Sequence, residues 1–121
     1  MWTWKQGTGE LVDARGVTIG RGYSGDREHY NNPASQAIAD VGPIPRGRWM
    51  IGGFFDDPDG KGPVVCRLTP MTGTEMFGRA GFMIHGDSAA NDHSASHGCI
   101  VIGHALRAAV SRSGDAVLEV V

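Results

Sequence analysis

The stretch IHGDSAANDHSASHGCIVI, residues 84–102, decides how the rest of the chain is read. GFMIH (81–85) and CIVI (99–102) are short apolar runs, the second of them β-branched, that read as neighbouring strands. Between them lies a polar loop, residues 86–98. The segment gathers three of the five histidines, His85, His93 and His97, and one of the two cysteines, Cys99. A strand ending in an imidazole and a strand starting with a thiol can bring the two together.

Working outward, the same short-strand pattern recurs. MWTWK (1–5) alternates, as do parts of ELVDARGVTIGRGY (10–23), and glycines bound each piece. GPIPRGRWMIGGFF (42–55) reads as a turn feeding a strand over about 48–55. DDPDGKGP (56–63) is a hairpin tip, followed by a strand in VVCRLTP (64–70). Asn32-Pro33 marks a helix start, with Ala34, Ala37, Ile38 and Val41 at helical spacing and Gly42 as a stop. GHALRAAVSRSGD (103–115) is the clearest helix: Leu106 and Val110 lie four apart, Arg112 suits the last turn and Gly114 closes it. AVLEVV (116–121) alternates as a final strand. These elements make one mainly β (α+β) domain over 1–121, with a short C-terminal helix and a helical turn near 33–41.

The chain has 121 residues, 19 of them glycine, and a formal charge of −2. That balance carries no electrostatic footprint for nucleic acid or an anionic membrane. No apolar run reaches 18 residues, so no membrane insertion is expected. MWTWKQGTGE lacks the basic and apolar regions of a signal peptide. Cys66, inside VVCRL, reads as a small buried thiol rather than as a disulfide partner for Cys99.

A cysteine with a free pKa of about 8.5 needs a base to act as a nucleophile near neutrality. His85 is the candidate base and Cys99 the candidate nucleophile. Gly98 allows a tight turn, and the Gly98 and Cys99 amides are candidate oxyanion donors. Asp87, Ser88 or a backbone carbonyl can hold the second imidazole nitrogen. His97 reads as a ligand, a base or a loop tether, and His93 as a solvated loop residue. His104 starts the last helix, and His29 has no evident partner. His85, Asp87, His93, His97 and Cys99 are also competent zinc ligands, but neither CxxC nor HExxH spacing occurs. No cofactor is called for. A zinc hydrolase using His85, Asp87 and His97 and a non-catalytic wall-binding module are the rival readings.

Ser96-His97-Gly98-Cys99-Ile100 with an upstream His85-Gly86 resembles the signature of the YkuD-like L,D-transpeptidases. A nearer likeness is to the type VI secretion L,D-transpeptidase effector family, through Gly22–Gly25 (GYSG), Asn31–Pro33 (NNP), Gly42–Gly47 (GPIPRG), His85–Asp87 and Ser96–Ile100. The resemblance implies a small L,D-transpeptidase-like β-sandwich or sheet with the Cys/His pair at one end. It also implies Cys99 attacking a peptidoglycan stem tetrapeptide, His85 as base, and Ser96, His97 and Gly98 shaping the nucleophile loop. Delivery by a type VI system into a rival's periplasm, without a signal peptide, and a cognate immunity protein follow from the same likeness. Two departures stand out. Only ten residues separate His85 from Ser96, and Val101 replaces the family's usual Arg or Asn. Arg46, Arg48 and Arg79 are then candidates for binding stem carboxylates.

Overall fold

The computed structural model describes residues 1–58, 60–87 and 95–121. Alternation near the N-terminus yields β1 (Trp2–Lys5), β2 (Glu10–Val12), β3 (Thr18–Arg21) and β4 (Tyr23–Ser24). β5 (Gly47–Ile51), β6 (Phe55–Asp57), β7 (Gly62–Pro70), β8 (Met83–His85) and β9 (Ile100–Val101) follow. Helix α1 (His104–Ser113) and β10 (Val117–Val120) end the chain.

The strand order is β3-β2-β1-β10-β5-β7-β8-β9-β4, with β6 paired to β7. The two ends of that order, β3 and β4, are separated in sequence by Gly22 alone, so the sheet coils until its edges meet. Gly22 sits at this seam because an added Cβ would fall on the Val101 carbonyl oxygen. Most neighbours are antiparallel; β1 with β10 and β8 with β9 run parallel.

Register aligns the inward residues into one core. Trp2 and Trp4 pair with Leu118 and Val120, Leu118 with Trp49, Ile51 with Leu68, Cys66 with Ile84, and Ile84 with Ile100. These side chains, with Val110 of α1, form a single buried cluster. Helix α1 ends at Gly114 in the left-handed conformation (φ 68°), where glycine carries no Cβ penalty.

One expectation is corrected. The strand over 48–55 is broken: β5 stops at Ile51, and Gly52-Gly53-Phe54 turns a corner before β6. The long β7 explains the break, because its Leu68–Pro70 end pairs with β5 while its Gly62–Val65 end pairs with β6. The helical turn expected near 33–41 is present as one 3-10 turn, Pro33–Ser35, capped by the Asn32 side chain on Ala34 N–H. A longer helix would bury Ile38 and keep its own carbonyls. Here Ile38 is exposed, Asp40 is left-handed (φ 65°), and Gln36 O accepts instead from Arg79.

Candidate active site

The β8–β9 pair positions the two residues of interest. Ile84 pairs with Ile100 and His85 with Val101, so one residue back along both strands Cys99 is level with Met83. Side chains alternate across a strand. Ile84 and Ile100 therefore enter the core, while Met83, His85 and Cys99 rise from the opposite face. The Cys99 sulfur lies 3.7 Å from Gly81 O, at the point where the parallel ladder ends. Cys66 faces the other way, into the core, and both cysteines are free thiols.

His85 is almost fully buried, and its Nδ1 lies 2.7 Å from the carbonyl of Gly86. A carbonyl can only accept, so Nδ1 carries the proton and Nε2 is the basic nitrogen. Burial pushes the imidazole below its ordinary 6.5; the Gly86 hydrogen bond opposes this, Lys61 and Arg107 add to it, and Asp87 opposes it weakly. Burial pushes the Cys99 thiol up, against the pull of the Met83 N–H and the charges of Lys61 and Arg79. The resting pair is thus a neutral thiol and a neutral imidazole. Asp87 accepts from Tyr23 Oη at 2.6 Å.

The turn before Cys99 is held from below. The Ser96 hydroxyl, fully buried, donates to Cys99 O at 2.6 Å and accepts from Gly25 N–H and Gly98 N–H. The Gly98 amide, read from sequence as an oxyanion donor, is therefore engaged inside the turn. Ser24 Oγ donates to Gly98 O and accepts from Ile44 N–H, while Asn31 accepts from Ser24 N–H. His97 is exposed and tethered through Nδ1 to Asp40 O at 3.0 Å. The GYSG, NNP and GPIP segments thus converge under the SHGC turn. Gly98 has φ 134°, and a Cβ there would come 2.5 Å from Arg79 Nη2 and 2.8 Å from Phe82 Cε1.

Two buried arginines were not legible as such. Arg79 donates to Gln36 O, Pro43 O, Gly42 O and His97 O, and stacks 5.1 Å from the Phe82 ring centre. Arg107 donates to Pro63 O, Val64 O and Ile102 O, under the backbone beside Gly86. Of the three arginines considered for carboxylate binding, Arg79 is thus occupied by carbonyls, Arg48 pairs with Glu119 at 3.3 Å, and Arg46 is exposed. His29, unassigned from sequence, shares a hydrogen bond with Ser35 Oγ at 2.9 Å. Ser88 and His93 lie outside the described residues. Among the described residues, no three of His, Cys, Asp and Glu converge as metal ligands would. Nor does any helix among them have the length and apolarity to cross a membrane.

Fold and site together define a small, mainly β domain in which His85 and Cys99 rise from one face at the end of a parallel ladder. The chain belongs to the Tlde1 domain family, whose model matches residues 19–114 and which is a family of type VI secretion effectors. That span takes in β4, the SHGC turn and α1. No curated protein and no solved structure matches the chain. Membership points to export through a type VI secretion machine and to an immunity partner.

Proposed function

We propose that the domain is a cysteine-dependent L,D-carboxypeptidase and transpeptidase acting on peptidoglycan stem tetrapeptides. The observation that carries this reading is the fixed tautomer of His85: with Nδ1–H given to Gly86 O, Nε2 is left as a base on the face that bears Cys99. The lowered imidazole pKa keeps that base unprotonated at neutral pH.

In the proposed reaction the Cys99 sulfur attacks the carbonyl of the third stem residue as His85 takes the thiol proton. The new C–S bond forms a tetrahedral intermediate whose oxyanion meets the Cys99 amide, since Gly98 N–H already serves Ser96. Collapse breaks the C–N bond, and His85 returns its proton to the departing D-alanine amine. Water, deprotonated by His85, then cleaves the thioester and restores the thiol. An amine in its place gives transfer. The orienting group for His85 is the Gly86 carbonyl, with Asp87 acting through its charge and through Tyr23.

Mass analysis of disaccharide-tetrapeptide, incubated with the parent and with Cys99→Ala and with or without an added D-amino acid, tests this. Loss or exchange of the terminal D-alanine by the parent alone is expected. Equal activity in both proteins would instead favour zinc chemistry. Inert tetrapeptide in every sample would favour the wall-binding module.

A further inference from the structure

The turn that leads into β7 lies against the His85 end of the site. Gly86 N–H donates to Lys61 O at 3.1 Å, so the backbone of Lys61 runs beside the residue that follows His85. Lys61 is exposed, and no carboxylate of the described residues pairs with its ammonium. That ammonium is nevertheless the strongest charge felt by both groups: it outweighs Arg107 and Asp87 at His85, and Arg79 at Cys99. Coulombic influence falls with distance, so a charge that leads at both groups stands over the face they share. Arg79 and Arg107 give their N–H groups to carbonyls, whereas the Lys61 ammonium is open to a ligand. Among the described residues, the charges of Lys61, Arg79 and Arg107 oppose that of Asp87 around the pair, a balance that favours an anion.

The proposed reaction fixes where that anion lies. His85 returns its proton to the departing D-alanine amine, which places the amine nitrogen at Nε2. The carboxylate of the same residue lies within one residue length of that nitrogen, about 3.8 Å. Lys61 stands about 5 Å from Gly86, one strand spacing, and its four-carbon stem is long enough to carry the ammonium back over the imidazole. Carboxylate and ammonium therefore meet on the His85 side of the thiol.

On the proposed peptidase reading, we infer that the Lys61 ammonium binds the terminal α-carboxylate of the donor peptide and makes the enzyme select chain ends. A peptide that continues past the departing residue offers an amide there, with no charge to meet the ammonium. The flexible stem lets the ammonium follow the carboxylate as the D-alanine leaves.

The test measures kcat/KM on the stem tetrapeptide with a free terminal carboxylate and on its terminal amide, with the parent, Lys61→Met and Lys61→Arg. The side chain is exposed and the bond to Gly86 uses its backbone, so both variants keep the fold. The parent is expected to prefer the free acid by roughly 10-fold, the low end for a hydrogen bond to a charged group. Lys61→Met should bring the acid down to the level of the amide, and Lys61→Arg should keep most of the preference. A preference that survives in Lys61→Met overturns the assignment while leaving the peptidase reading intact. So does an equal fall on both substrates, which would place the charge's effect on the thiol and imidazole instead. A parent inert on both substrates removes that reading, and the subsite with it.

Discussion

The Cys99 end and the His85 end of the proposed site each rest on one buried arginine, and the two arginines differ in what they hold. Arg79 gathers the carbonyls of the 36–43 loop and of His97, so it fastens an irregular loop to the SHGC turn. Arg107 gathers carbonyls from the start of β7 and the end of β9, so it fastens two strands already joined to β8. Their charges act in one direction, since each favours loss of a proton from the group nearby. Burial then separates the outcomes: it opposes Arg79 at the thiol and reinforces Arg107 at the imidazole. Cations of one sign therefore leave one end protonated and the other not, as the proposed general-base role of His85 requires.

The comparison breaks most severely at Gly98. Gly98→Ala would strain a backbone at φ 134° and push a methyl group into Arg79 and Phe82. A loss of about 2–5 kcal/mol in unfolding free energy is expected from strain plus overpacking, read by urea denaturation. Turnover should be lost as well. At the His85 end, Gly86→Ala places its methyl 3.1 Å from the Arg107 guanidinium, a longer approach and at a backbone outside the left-handed region, so a milder loss of about 1 kcal/mol is expected. Equal losses at both glycines would sink the distinction between the ends.

The arginines sharpen it next. Arg79→Gln should raise the thiol pKa further and move the alkaline limb of the kcat/KM profile upward. Arg107→Gln should let the imidazole pKa rise and move the acid limb upward instead. In the parent, the acid limb lies below pH 6.5, because the folded-state imidazole titrates below its ordinary value. The sign for stability follows from proton counting. Between the folded and the ordinary pKa the unfolded chain binds more protons, so stability contributed by neutral His85 is present above 6.5 and is lost as pH falls through the folded value. Profiles in which both variants move the same limb would show that the two charges are not separately addressed.

How far this was legible in the sequence depends on whether a role was local. Cys99, Gly98 and Ser96 sit within four residues, so their spacing exposed a turn; His85 was found because it closes an apolar run. The β6–β7 hairpin and α1 were legible for the same reason, each with its own turn or cap residues. Arg79, Arg107 and Arg67 were not, because an arginine between polar neighbours reads alike whether it is solvated, buried among carbonyls or stacked on a ring. Only their folded surroundings distinguish them: the carbonyls of the 36–43 loop around Arg79, those of β7 and Ile102 around Arg107, and the Phe55 ring beside Arg67. The break at Gly52 was hidden for a related reason, since it comes from β7 exchanging partners rather than from the two glycines alone.

The smallest effect separates the two cysteines, which lie on opposite faces of the sheet. Cys66 is fully buried, paired with Ile84, and burial pushes its thiol up to about 12. It is a core side chain that happens to contain sulfur. Cys66→Ala removes one heavy atom from a packed site, and a cost of about 1 kcal/mol is expected from the small void left behind. Turnover should not change. Iodoacetamide at pH 8 should label one equivalent of thiol in the folded parent and in Cys66→Ala, and none in Cys99→Ala until denaturant is added. Access decides the labelling as much as acidity, because burial raises both thiols and only Cys99 is half-exposed. Labelling of Cys66 in the native state would mean that β7 opens far enough to expose the core face. The β7–β8 pairing, whose extension places Lys61 beside Gly86, would then fail along with it.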